Sequence, residues 1–514
     1  MRRPSRQFPR SAALAAITAL LATGCTVGPD FQRPKPSLPA SWLDQAPPAA
    51  GEAGQASQAA AEPIAADWWG AFNDRELTSL ENRVADANLD VRTATIRLAE
   101  SRALRQITSA AEFPQVNGNA MYQRLKPSEK GIFSLFGGGA AGGIAGPTGI
   151  PAAGSSLQSL DLWQYGFDAQ WELDLWGQVR RSIEAADAQI EGSAEARRDA
   201  LLSVLAEVAR DYLQLRGIQT LLRISQENLD TAKDSLALTE KRAADGLSSR
   251  LDVATAAAQV ATTESTIPPL QQSETQTVNR LSFLLGQPPG SLAAELATPH
   301  PVPPPPPRVP VGLPAELARR RPDIRQAEAL LHAQTAEIGV AVASFYPNVT
   351  LNAMFDLQAL KFANLGNWQS RTATLGPTLS LPIFNGGQLT GNLQLTEARQ
   401  QEAAVAYQRT VLSAWEEVVD ALVAYDAEQR RRERVSRAVE ENRQALRLAR
   451  EQYRQGLVSF LQVLTVEQQL LATEQQEADS TTTVSTNLVA LYKALGGGWE
   501  TSFPTKEEQQ RSNQ

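Results

Sequence analysis

Few side chains in this 514-residue chain are of the kinds that do covalent or metal chemistry. It has one cysteine, Cys25, and two histidines, His300 and His332. His300 lies in a proline-rich run and His332 in a helix-forming one, and neither has a cysteine partner or the spacing of a metal-ligand set. No catalytic site, metal or cofactor is expected. The carboxylates say more. From Leu162 to Arg181 (LWQYGFDAQWELDLWGQVRR), Asp168, Glu172 and Asp174 alternate with Trp163, Tyr165, Phe167, Trp171, Leu173 and Leu175. A strand points alternate side chains to opposite faces, so this one has an oily face and a wet face. The oily face is too long and aromatic to leave to water, and no packed core accepts unpaired carboxylates. A membrane barrel with a water-filled lumen satisfies both. Asp168, Glu172 and Asp174 are expected to face that lumen, with the tryptophans toward lipid.

The elements that must position such a strand begin with a leader. Residues 1–24 carry Arg2, Arg3, Arg6 and Arg10 and then an apolar run from Ala12 to Ala22, which reads as a removable secretory signal. It runs into Ala22-Thr23-Gly24-Cys25, which resembles a bacterial lipoprotein box and implies cleavage before Cys25 and lipid on its sulfur. Thr26 in place of aspartate favours sorting to the outer membrane by the same resemblance. With Cys25 consumed, no thiol remains for disulfides. Loss of the four leader arginines takes the formal net charge from -8 to -12, which argues against nucleic acid as a partner. No later segment approaches the roughly 20 apolar residues of a spanning helix, so any crossing of a membrane must use strands.

Residues 25–75 are expected to be a lipidated N-terminal segment with a flexible spacer over 51–66. A helix is expected from Leu77 to Ala111 and a strand at about 115–124. A glycine-rich exposed loop follows over 126–154, then the opening strand, at about 162–175. From Gly177 to Asp245 the chain is helix-forming without proline, long enough for a rod of about 100 Å. Leu201, Val208, Leu215, Leu222, Leu229 and Leu236 recur on it every seven residues, which argues for packing between rods. The chain turns at Gly246 and returns to about Leu285, with a break expected at Pro268-Pro269. A proline-rich linker over 291–315 closes the first unit (76–290), and then the pattern repeats over 316–497, before a tail at 498–514. Asp323-Ile324-Arg325 follows Asp90-Val91-Arg92 by 233 positions, whereas Gly387-Gln388 follows Gly177-Gln178, and Gly456-Leu457 follows Gly246-Leu247, by 210. The chain is a duplicated helix, strand, strand, long helix, return helix. The second copy supplies strands at about 348–357 and 371–381, the latter with a bulge or weakened pairing expected at Pro377.

Four strands cannot close a membrane barrel, and an open edge in lipid leaves backbone groups unpaired, so several chains must contribute. The arithmetic alone leaves dimers, trimers and larger rings open. CTVGPDFQRP (Cys25 to Pro34), DWWGAFND (Asp67 to Asp74), LDLWGQVRR (Leu173 to Arg181), RPDIR (Arg321 to Arg325), PIFNGG (Pro382 to Gly387) and LYKALGGGW (Leu491 to Trp499), in this order on a duplicated chain, resemble the outer-membrane factor (outer membrane efflux protein) family. The likeness is to its lipoprotein OprM/CusC/NodT-like, TolC-related branch and covers the whole mature chain.

The resemblance implies a mainly α fold with a transmembrane β-barrel, as a homotrimer with twelve strands in the outer-membrane lipid and a long α-helical periplasmic tunnel. It implies a passive exit duct for drugs or other small toxic compounds, partnered by a periplasmic adaptor protein and an inner-membrane efflux transporter. Gly246, Leu247, Ser248 and Ser249, with Gly456, Leu457, Val458 and Ser459, would be the tips that meet the adaptor. Leu461, Gln462 and Thr465 fall at the periplasmic aperture; relatives often carry aspartate where Gln462 and Thr465 stand, and Asp252 or Glu467 are the candidate acidic substitutes. An exit duct for type I protein secretion and a lipid-anchored structural coiled coil are the alternatives; the lipoprotein box and the Leu491 to Trp499 motif favour efflux over the first, and the four alternating strands oppose the second.

Overall fold

The computed structural model describes residues 26–35, 58–60, 62, 64–126 and 159–504. The expected leader, the expected lipidation site Cys25, most of the glycine-rich loop and the last ten residues of the tail lie outside the described residues. In chain order the elements are β1 (Gln58–Ala60), α1 (Arg75–Ala87), α2 (Leu89–Ser109), β2 (Gln115–Leu125), β3 (Leu160–Leu173), α3 (Gln178–Ala244), α4 (Arg250–Ser265), α5 (Ile267–Leu284), β4 (Arg308–Pro310), α6 (Pro322–Ala343), β5 (Asn348–Ala359), β6 (Arg371–Ser380), α7 (Gln388–Arg454) and α8 (Phe460–Leu495), besides single turns. The two long rods, α3 and α7, have 67 residues each and start 210 positions apart. Contacts divide the chain into two units.

One unit holds the four-stranded sheet, ordered β2-β3-β5-β6 and antiparallel throughout, with the described residues up to Phe31, Ala103–Asp187 and His332–Gln400. Its N-terminal segment is strapped onto the start of α3 and the end of α6. Val27 N–H donates to Trp176 O at 3.1 Å, Asp30 pairs with Arg181 at 2.6 Å, and Phe31 stacks on the His332 ring at 4.4 Å. His332 also meets Glu184 at 3.0 Å. Gly28 requires its glycine twice over: its φ is +92°, and a Cβ there would come within 2.5 Å of the Gly339 backbone.

The other unit packs the rods around the turn motifs. Trp68 stacks on Tyr492 at 5.2 Å, and the Trp499 indole N–H donates to Gly496 O at 2.9 Å. Arg321 is buried, bonded to Asp323 at 2.6 Å, Glu417 at 2.7 Å and the carbonyl of Ala494 at 2.9 Å. Arg216, fully buried, reaches Glu76, Gln219 and the carbonyl of Thr298. The heptad positions Leu201, Val208, Leu215 and Leu229 are buried on α3, as Val411, Val418 and Tyr425 are on α7.

Three expectations change. The helix expected from Leu77 to Ala111 is two helices, because Asn88 leaves the helical path. Its side-chain oxygen accepts from Asp90 and Val91 N–H at 2.8 and 3.1 Å, capping α2, while its amide donates to Leu284 O at 2.8 Å. Part of the expected flexible spacer is a strand: β1 pairs in parallel with β4 of the proline-rich linker, Gln58 opposite Arg308. Pro377 produces no bulge; the β5–β6 register runs through it, with Pro377 opposite Leu351. Within one copy β6 has only β5 as a neighbour, and in an antiparallel pair alternate residues direct no N–H to the partner, so a proline can sit in register.

Glu81 on α1 is buried, and neither carboxyl oxygen has a hydrogen-bond partner. Burial pushes its carboxyl well above the ordinary range, so the folded chain holds a proton there that the unfolded chain releases. The linked stability is therefore largest below the usual glutamate range and falls as pH rises toward the raised value. Glu81→Met is expected to stabilise the protein at neutral pH by about 1–3 kcal/mol. Melting curves should also lose part of their decline as pH rises above the usual glutamate range.

Candidate functional site

The sheet register sorts the strands into two faces. Gln164, Asp168, Gln170 and Glu172 of β3 share one face with Asn117 and Asn119 of β2, Thr350, Asn352 and Asp356 of β5, and Thr374 and Thr378 of β6. The other face carries Trp163, Tyr165, Phe167 and Trp171 with Val116, Tyr122, Leu351, Phe355, Leu375 and Leu379. Phe167, Leu375 and Leu379 of that face are exposed. The polar face is knitted by side-chain hydrogen bonds. Asn117 and Asn119 both donate to Asp168, Gln164 donates to Asp356 at 2.7 Å, and Asn352 to Thr378 at 3.0 Å. Gly166 makes room for this network, since a Cβ there would overlap Asp356, which folds across it and is buried. On the apolar face Trp163 packs against Tyr122 at 4.2 Å, and Trp171 Nε1 donates to Glu112 O at 3.0 Å. Among the described residues the outer edges of β2 and β6 have no strand partner.

Asp168 and Glu172 stand together on the polar face, and Asp174 does not. β3 ends at Leu173, and the Asp174 carboxylate accepts from the N–H groups of Val179 and Arg180 at 3.2 and 3.0 Å. It caps α3, where free N–H groups and the positive end of the helix dipole favour a carboxylate. Gly177 between them needs its glycine, with φ at +83° and Thr26 within 2.5 Å of where a Cβ would stand.

At the far ends of the rods the two turns are built alike. Gly246 and Gly456 both have φ of +75°; Leu247 N–H donates to Arg242 O at 2.8 Å and Leu457 N–H to Gln452 O at 2.9 Å. This is the Schellman ending, in which a left-handed glycine lets the chain return its N–H groups to the last helical carbonyls. The capping that follows differs. Ser249 and Asp252 form a reciprocal capping box, joined by Ser248 at 2.9 Å, whereas Ser459 makes no side-chain cap, and Gln462 stands where the first copy has Asp252. Backbone and hydroxyl donors, Ser249 first, hold the Asp252 carboxyl below its ordinary range.

Asp252 is thus turned into its own turn and is not free as an acidic gate. Glu467 is excluded more firmly: it is buried and bonded to Ser235 at 2.6 Å and Arg450 at 2.7 Å. Leu461, Gln462 and Thr465 share an exposed face of α8, with Val463, Leu464 and Glu467 turned inward. Sequence reasoning missed Leu251, the exposed counterpart of Leu461 one repeat earlier, which the offset of 210 identifies. It also missed Arg242, which donates to the carbonyls of Tyr453 and Arg454 at 2.9 and 3.1 Å and lies 4.6 Å over the Tyr453 ring, bracing one turn against the other. Its counterpart is Gln452, and that asymmetry was the available signal.

Comparison with known proteins decides the family. A model described as "Outer membrane efflux protein" matches residues 80–287 and 313–497. The chain belongs to the outer membrane efflux protein family. It is 31% identical over 501 residues to the outer membrane protein OprJ of Pseudomonas aeruginosa, covering 97% of each chain. To the pyoverdine export outer membrane protein OpmQ of Pseudomonas putida it is 34% identical over 467 residues, 90% of this chain and 94% of that one. Among solved structures, the outer-membrane channel OprN is similar at a TM-score of 0.81 and 32% identity, covering 93% of this chain and all of that one. This outer membrane efflux protein therefore has the channel-tunnel fold and is located in the outer membrane, as the exit duct of a tripartite efflux system. Efflux components of this kind work with an adaptor and an inner-membrane transporter.

Proposed function

We propose that the protein acts without chemistry of its own, as a homotrimer that gives drugs or other small toxic compounds a passive way out. The observation that carries this reading is the four-stranded sheet with one polar face, one apolar face and two unpaired edges. Lipid tolerates no open edge, and four strands are too few to close, so several copies must contribute, and with the three that the family resemblance implies they complete one twelve-stranded barrel. Asp168 and Glu172 then face the passage. Residues 25–75 tether the chain through a lipidated Cys25, the repeats 76–290 and 316–497 surround one conduit, and Leu461, Gln462 and Thr465 line its periplasmic aperture. The turns at Gly246 to Ser249 and Gly456 to Ser459 meet the periplasmic adaptor, behind which an inner-membrane transporter supplies the energy.

Purified, lipidated protein is expected to run as a heat-modifiable trimer and to give discrete conductance steps in planar bilayers. A protein that is monomeric in mild detergent and forms no pores would rule the reading out.

A further inference from the structure

One end of the sheet carries charge of the opposite sign to that of the chain as a whole. β3 and β6 run toward the starts of the rods at Gln178 and Gln388, so Leu160, where β3 begins, Ala359, where β5 ends, and Arg371, where β6 begins, stand at the opposite end. The register places Tyr122 and Arg124 of β2, Asp161 and Trp163 of β3 and Arg371 of β6 there, all on the apolar face. Phe362, just past β5, sets its ring edge-on to Trp163 at 5.1 Å, and Trp163 packs on Tyr122, so this end of the face is an aromatic collar. Trp171 lies eight positions farther along the same face, about 27 Å of strand and close to the height, about 25 Å, of the apolar band of a membrane barrel. The two tryptophans therefore mark the two interfaces of that band, where amphipathic rings gather.

Cations sit on the collar. Arg124 is paired with Asp161 at 3.6 Å, and Tyr122 O–H donates to the same carboxylate at 3.1 Å. Lys361 and Arg371 have no carboxylate partner among the described residues. The Arg371 guanidinium lies 3.7 Å over the Trp368 ring, and its one hydrogen bond among the described residues is a long one, to Trp368 O at 3.5 Å. Stacking uses the face of a guanidinium, whereas its N–H donors lie in the plane, so the ring holds the cation and leaves the donors open. Trp368 and Phe362 are themselves 72% and 67% exposed. Two bare rings and two uncompensated cations thus share one end of the sheet in a chain whose formal net charge is -8.

We infer that this rim binds the phosphate of a phosphorylated glycolipid in the outer leaflet, with Arg371 as the phosphate ligand, Trp368 holding it in place and Lys361 adding charge. This rests on the apolar face being the lipid face, as proposed above, and names the lipid group met at its outward end. On that reading the rods reach into the periplasm, so the collar end faces outward, and the outer leaflet of an outer membrane is built of glycolipid with apolar chains below and phosphates above. Rings below and cations above reproduce that order. Arginine suits the task better than lysine would, because its planar fork meets two phosphate oxygens with parallel N–H bonds. Asp161 does not oppose the anion, since Arg124 and Tyr122 already occupy its carboxylate.

The test titrates full-length protein in mild detergent with purified lipopolysaccharide and reads binding from the rise of melting temperature with lipid concentration. Arg371→Gln is expected to weaken binding by about tenfold or more, and Trp368→Leu by about threefold or more. Arg124→Gln, on the same rim but already paired, should change it by less than about twofold. Lipopolysaccharide stripped of its phosphates should bind the unaltered protein as weakly as the intact lipid binds Arg371→Gln. Equal binding by the unaltered protein and Arg371→Gln, equal binding of the stripped lipid, or an equal loss in Arg124→Gln overturns the site. Displacement of the lipid by millimolar inorganic phosphate would mark a site for the free ion and overturns the lipid as its occupant. A nitroxide on Leu375→Cys, midway along the apolar face, in protein reconstituted into bilayers separates the two kinds of failure. Relaxation by oxygen, which concentrates in lipid, leaves the lipid face standing when the Arg371 result fails. Relaxation by a water-soluble nickel chelate instead overturns the lipid face itself, and the phosphate site with it.

Discussion

Arg321→Ala is expected to cost about 3–5 kcal/mol and to strip the protein from the outer membrane. The guanidinium is buried and forks to Asp323 while also reaching Glu417 and the Ala494 carbonyl. Burial alone would lower its pKa, but the hydrogen bond and charge of Asp323, with help from Glu417, raise it above the ordinary arginine value, so the charged form is the one that fits. Removing it leaves two carboxylates without their cation and the Ala494 carbonyl short of this donor. Packing is lost as well, because Gly496, with φ of +77°, is pressed against this side chain so closely that a Cβ would come within 2.7 Å of it. Arg321→Lys should rescue little, since an ammonium cannot present the planar fork. Arg83→Ala is the comparison: its partner Glu295 is also at the surface, and loss of an exposed pair costs about 1 kcal/mol or less. Thermal denaturation and the amount of protein in outer-membrane fractions report both, and equal losses for the two variants would contradict this account.

What the sequence discloses depends on whether a side chain or the backbone carries the signal. Alternation in β3 is legible because a sheet between water and lipid imposes a period of two on side-chain polarity, and Gln164, Asp168 and Glu172 keep that period. The duplication is legible because equal rods leave equal spacings between Gly177, Gly246, Gly387 and Gly456. Asp174 misled because it continues the alternation by one step past the strand, and nothing in the pattern marks where pairing stops and helix capping begins. The pairing of β1 with β4 is a backbone event in an alanine-rich spacer and left no trace in side-chain pattern. Asp252 is the opposite case. Ser249 three residues before it is a capping-box spacing, so its turn toward the helix end was readable and was outweighed by the likeness to an acidic aperture. The motifs that carry the family resemblance are largely structural clasps: RPDIR holds LYKALGGGW through Arg321, and DWWG meets the same segment through Trp68 and Tyr492.

The turns at the rod ends should show the reverse of Arg321: normal assembly with lost transport. Leu247 and Leu457 are 65% and 70% exposed, and what fixes each turn is the glycine before it and the backbone N–H, neither of which depends on the leucine side chain. Leu247→Glu with Leu457→Glu should therefore leave protein level, heat-modifiable assembly and bilayer conductance unchanged. If these leucines are buried against the adaptor, each copy now presents two carboxylates to an apolar contact, and desolvating an unpaired charge is costly. Because copies repeat around a ring, the losses multiply, and a fall in export of at least about tenfold needs only about 1.4 kcal/mol in total. Drug exclusion by cells and recovery of the adaptor after cross-linking measure it. The Schellman glycine supplies the contrast. Gly246→Val forces a branched side chain into a left-handed backbone and should disturb the turn itself, at about 1 kcal/mol or more. Arg242, which ties the first turn to the second, would carry that disturbance to Tyr453. Full drug exclusion by the double leucine variant would move the adaptor contact away from the turns and onto the flanks of the rods.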